Sequence, residues 1–210
     1  TKKNKLAVFS SYFNLNEYIL FQEMVKIFFK RINTETLSLQ QILTYMKEKD
    51  YENKSDYEMM LYIQRNIILQ NSIKWIDDTI NKVVIFGENW DKFKKLSSNI
   101  KIKKTKKPIK EYQKSEYILQ ISSNIIDVNL LEILNSNSIP VIYDLRQEDE
   151  SYNIKLDDYC LFYKNKKELN NILKNNIKPK KKYTKDAFQE YTFNKLSKEI
   201  ESFISKKNDY

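Results

Sequence analysis

The residues best suited to chemistry gather around one stretch, Leu130 to Asp144. Glu132 lies on an amphipathic segment, Asp127 to Asn135, that follows one apolar run and precedes another starting at Pro140. In an open α/β sheet such a helix starts at the carboxyl ends of the strands, where ligands bind. A carboxylate there has two oxygens to accept hydrogen bonds from a ligand's hydroxyls. The same pattern also describes an ordinary exposed helix carboxylate. Ser123, Asn124 and Asn129 stand around the start of this segment. Amides beside a helix N-terminus suit an anion, and asparagines also serve turns and caps.

Gly87 closes the run Val83-Val84-Ile85-Phe86 and is followed by Glu88 and Asn89. Lys103 and Lys104 end the next run, placed to face phosphates or plain solvent. Asp144 and Arg146 follow the proline run, either lining the same crevice or pairing with each other. The chain has no histidine, one glycine and one cysteine. Histidine-dependent base catalysis, a cysteine metal cluster and an intrachain disulfide are therefore excluded within it. Cys160 sits in an apolar run and reads as a buried structural thiol. No nucleophilic triad, metal-ligand spacing or glycine-rich phosphate loop is present.

The elements that position these residues follow from periodicity. Residues 1–80 read as a mostly helical segment: Tyr12 to Phe29 has helical spacing of apolar residues, Ser38 opens a helix through Met46, and Ser55 caps one reaching Trp75. Leu6-Ala7-Val8-Phe9 fits a short strand or a helix start. Residues 81–210 alternate strand and helix. Strands are expected at Val83 to Phe86, Ile100 to Lys103, Tyr117 to Ile121, Pro140 to Tyr143 and Tyr159 to Tyr163. Helices are expected at Trp90 to Leu96, from Pro108, at Asp127 to Asn135, at Asn165 to Leu173, and finally at Tyr183 to Ser205. Strands spaced by helices imply right-handed crossovers and a parallel sheet. The fold class is α/β: a Rossmann-like parallel sheet flanked by helices, preceded by a helical segment and closed by a long C-terminal helix.

The net charge of +9 is concentrated between Lys92 and Lys114 and again from Lys178 to Lys185. Such patches suit phosphates, a polyanion or an anionic membrane surface, or form a solvated face. Arginine is scarce (Arg31, Arg65, Arg146), and no aromatic–basic interleaving marks a nucleic-acid module. No apolar run approaches the roughly 18 residues of a membrane span. A cytoplasmic setting, with peripheral contact at the inner face of a membrane, is the expectation. The chain begins at Thr1 rather than Met, which reads as a piece of something longer.

The order and residues from 83 to 204 resemble the C-terminal half of bacterial glycosyltransferases with two Rossmann-like halves, of the group-1-like and spore-maturation type. The residues carrying this are Val83-Val84-Ile85-Phe86-Gly87-Glu88-Asn89-Trp90, the helix bearing Glu132 before Pro140-Val141-Ile142, and Phe162-Tyr163-Lys164-Asn165 leading to Glu168-Leu169. The step from Glu132 to Pro140 is also similar to exostosin-like transferases. The resemblance implies a nucleotide-sugar donor held at Glu132, Asn124, Asn129, Gly87, Asn89, Lys103, Lys104 and Ser123, with Glu132 on the ribose. It implies no other cofactor and no bound metal. The acceptor would be a glycan, lipid or protein, held by a domain outside this chain. Asn124 stands where the family has its first acid, Asn137 where it has a glycine, and the usual loop glycines are absent. The alternative from these losses is a non-catalytic module binding a protein or polyanion through lysines.

Overall fold

A computed structural model describes residues 2–14, 54–93, 96–121, 128–144 and 156–184. Its core is a six-stranded, all-parallel sheet flanked by four helices. In chain order the elements are β1 (Asn4–Phe9), α1 (Lys54–Trp75), β2 (Val83–Phe86), a 3-10 turn (Trp90–Lys92) and β3 (Ile100–Lys103). There follow α2 (Pro108–Lys114), β4 (Ser115–Gln120), α3 (Val128–Asn135), β5 (Ile139–Tyr143), a 3-10 turn (Leu156–Asp158), β6 (Leu161–Tyr163) and α4 (Lys166–Lys174). The strand order across the sheet is β3-β2-β1-β4-β5-β6.

Strands covered on both faces read as continuous apolar runs, and β2 is buried at all four positions. Alternate residues serve opposite layers. Leu6, Val8, Ile85, Tyr117 and Val141 join Ile68 and Ile73 of α1 and Leu169 and Ile172 of α4 in one core. Ala7, Val84, Phe86 and Ile118 face the other way, onto Tyr112 of α2 and Ile133 of α3. Each fully buried aliphatic side chain contributes about 1.5–3 kcal/mol by leaving water. Pro108 opens α2, where its missing N–H costs nothing. Asn165 caps α4 by accepting from the Glu168 amide at 3.0 Å, and Glu168 returns to the Lys164 amide at 2.7 Å.

Five strands and three later helices lie where the sequence places them, within a few residues. Leu6 to Phe9 resolves as a strand, and this corrects the expected division near residue 80. β1 runs between β2 and β4 at the centre of the sheet, so the first 80 residues are not a separate helical segment. Val83 to Phe86 is accordingly the second strand and not the first. The physical reason is the ambiguity of a short run that contains Ala7 and is flanked by polar residues. Ser55 lies inside α1, already helical at Lys54, and Trp90 to Leu96 shortens to a single 3-10 turn. Residues 11–14 are not helical. The remainder of the expected helix from Tyr12, the helix from Ser38 and the terminal helix beyond Thr184 lie outside the described residues.

Cys160 is buried beside Leu130, Leu134 and Ile142, as its apolar run suggests. No helix among the described residues is long and apolar enough to cross a membrane.

Candidate ligand-binding cleft

In a sheet of order 3-2-1-4-5-6 the crossovers from the two central strands leave in opposite directions. A crevice opens between them at their carboxyl ends. Here that point lies between β1 and β4, and a cleft of about 420 Å³ occupies it. This volume falls within the range of small-molecule sites. Ser10 and Ser11 enter it from the end of β1, Gln120 from the end of β4, Arg65 and Asn66 from α1, and Asn129 from α3.

The end of β1 is held by the segment after β2. Backbone bonds run from the Ser10 amide to the Phe86 carbonyl (3.1 Å) and from the Tyr12 amide to the Glu88 carbonyl (2.8 Å). The Trp90 indole donates to the Ser10 carbonyl at 2.6 Å, and the Glu88 amide donates to the Ser11 hydroxyl at 3.2 Å. Ser11 Oγ accepts one bond there, and a hydroxyl in that position still has its proton and a second lone pair to offer a ligand. From the other side, Gln70 of α1 donates to the Phe13 carbonyl at 2.8 Å. The ring of Tyr62 meets Phe13 edge to face at 4.8 Å. The two serines are thus fixed by contacts from both neighbouring elements.

Arg65 dominates the electrostatics of the cleft. No carboxylate is among the side chains lining it, and Arg65 makes no ion pair among the described residues. Its Nε is sealed from solvent with no hydrogen-bond partner. The Nε–H alone stays unsatisfied, and Arg65 as a whole is only partly buried. Arg65 lines the cleft, and its planar donor fork suits the phosphate or carboxylate oxygens of an anion there.

The residues singled out in the sequence scatter around this cleft. Asn129 lines it. Glu132, one turn further along α3, is half-buried and does not line it. Gly87 and Asn89 lie behind the β1 end and act on the cleft through Ser10 and Ser11. Asn89 takes the left-handed backbone (φ 62°) and starts the 3-10 turn that carries Trp90. Lys103 and Lys104 are exposed on β3 and just beyond it, two strands from the cleft, and Lys104 pairs with Glu88 at 3.2 Å. Asp144 meets Lys164 at 3.9 Å. Ser123, Asn124 and Arg146 lie outside the described residues.

Sequence reasoning missed Ser10, Ser11 and Arg65. The signal for Arg65 was its type: it is one of three arginines in a chain that otherwise relies on lysine. Among the described residues no three His, Cys, Asp or Glu side chains gather as a metal site. Comparison with protein-family models, curated proteins and solved structures returns no match.

Proposed function

We propose that this chain is the donor-binding part of a glycosyltransferase and that its switch-point cleft takes the phosphate-bearing portion of a nucleotide sugar. The observation that carries the reading is Arg65, a cation in a ligand-sized cleft with no carboxylate beside it among the described residues. The strand order supports it, because mononucleotides bind at this point of such sheets. In this reading Arg65 holds the diphosphate, Ser10 and Ser11 hydrogen-bond its oxygens and Asn129 approaches from α3, while Glu132, one turn beyond the cleft lining, would serve a ribose only at the cleft's edge. The acceptor, a glycan, lipid or protein, would be held outside this chain, and Asp or Glu there would supply any base.

The test is calorimetry with UDP, GDP, CMP and their sugars. One of these series should bind, with Arg65→Gln weakening it at least about tenfold, a loss of roughly 1.4 kcal/mol. Absence of binding across all three, together with an inert Glu132→Ala, would sink the reading.

A second reading is a non-catalytic module that binds a protein or polyanion through lysines. It draws on the missing loop glycines and on the exposed lysines of β3. Steep salt dependence of polyanion binding, without nucleotide affinity, would select it.

A further inference from the structure

A second concavity lies away from the cleft, on the face of β2 and β3 beside α2. It has a volume of about 670 Å³. Six lysines line it: Lys3 before β1, Lys82 before β2, Lys101 and Lys103 on β3, Lys104 just after β3, and Lys114 on α2. Its one carboxylate, Glu111, is engaged by Lys114 at 2.6 Å, and Lys104 is engaged by Glu88. Lys3, Lys82, Lys101 and Lys103 make no ion pair among the described residues. Lys101 and Lys103 alternate with Ile102, so both project on one face, about 6.6 Å apart along the strand.

Protection of an edge strand accounts for lysines on β3. It does not account for the convergence of Lys3 and Lys82, which arrive from two other segments. Lys82 even adopts a left-handed backbone (φ 62°) at the turn into β2. Four like charges brought together without counter-charges repel one another, and an anion bound among them relieves this.

The lining also indicates which anion. Its ammoniums come from four segments and are spread along a trough, which matches several adjacent anionic groups, and lysine binds phosphate as a point charge. Its apolar members, Val84 and Phe86, are buried, which leaves no exposed ring to stack a base and no side chain to insert into a bilayer. Asn81 and Ser98 add exposed or partly exposed polar groups at one end. We propose that this trough is a binding site for a soluble ligand carrying several adjacent phosphates, separate from the cleft at Arg65.

The test is titration of the full chain with inorganic tripolyphosphate, orthophosphate and poly-glutamate, at two salt concentrations. Tripolyphosphate should bind at least about tenfold more tightly than orthophosphate and should weaken as salt rises. The double variant Lys101→Ala/Lys103→Ala should weaken it about tenfold, with an unchanged circular dichroism spectrum because both side chains are exposed. Lys180→Ala/Lys182→Ala, which removes as much charge elsewhere, should have little effect. The proposal is overturned if poly-glutamate binds as tightly, if the two lysine pairs have equal effects, or if Arg65→Gln removes the binding.

Discussion

The carbonyl oxygen of Ser10 lies 1.9 Å from where a Cβ on residue 87 would stand, and its carbonyl carbon 2.5 Å away. The single glycine of the chain is therefore a matter of close approach between two backbones, because its φ is not in the left-handed region. Gly87→Ala must push the end of β1 away from β2. A destabilisation of about 1–3 kcal/mol is expected from such overpacking. Ligand affinity at the cleft should fall with it, because Ser10 and Ser11 move. Denaturant unfolding and a ligand titration on one variant measure both; an unchanged midpoint would contradict the geometry.

Arg65 should show opposite effects on stability and on binding. Replacing it by Met removes a poorly compensated cation and keeps the aliphatic stem. The unliganded protein should be as stable as the parent or more so, by up to about 1 kcal/mol. Its cleft should lose anion affinity. A large loss of thermal stability in Arg65→Met would mean that the guanidinium holds the fold together.

Beneath α1, the Tyr163 hydroxyl donates to Ser72 Oγ at 2.8 Å, and Ser72 Oγ donates to the Ile68 carbonyl at 2.7 Å. Both residues are completely buried. Ser72→Ala strands the Tyr163 hydroxyl and should cost about 1–3 kcal/mol. Tyr163→Phe leaves Ser72 its bond to Ile68 and should cost less, about 1 kcal/mol. The double variant should be milder than the sum of the two. Equal single costs with full additivity would argue that the two hydroxyls are not coupled.

Stability should fall at both ends of the pH scale. Burial works against the charge of Glu116, but hydrogen bonds from Lys178 and Lys5 outweigh it and hold the carboxyl below its ordinary 4.5. A depressed carboxyl stabilises above its unfolded value and loses that contribution as pH falls through the folded one. Glu116→Gln should therefore cost up to about 1 kcal/mol near neutrality, the scale of a partly exposed pair. The gap should close as pH falls below 4.5. At the alkaline end, burial pushes Tyr143 up to about 12 and raises Tyr117 and Tyr163 further. A raised phenol stabilises below its ordinary 10 and loses this as pH climbs. Tyr143→Phe should flatten part of the alkaline unfolding curve.

Most of the sheet was legible because buried parallel strands announce themselves as apolar runs such as Val83 to Phe86. Turn chemistry was legible too. Asn137, read as standing in for a glycine, has φ 57°, and the Ser138 amide reaches back to the Ile133 carbonyl at 3.4 Å. The central strand was harder, because Leu6 to Phe9 owes its conformation to neighbours far along the chain and little to its own pattern. The cleft was harder still. Asn129 was found from its place near a helix start, whereas Arg65 sits mid-helix and joins Ser10 in the cleft lining only after the crossover is made. Lys103 looked like a ligand residue from its strand-end position. Only strand order puts it two strands away from the cleft.

The placement of β1 has a consequence for how the chain assembles. Asn4 bonds to Ser115 across 111 residues of sequence, and Leu6 is in register with both Val83 and Tyr117. Both partners of this strand lie far along the chain, so the middle of the sheet closes only through non-local pairing. Non-local pairing of this kind slows folding. Without β1, two half-sheets, β3-β2 and β4-β5-β6, carry raw inner edges open to wrong partners. Deleting the first ten residues would leave those two pieces permanently unjoined, and soluble yield would register the loss before any binding assay did.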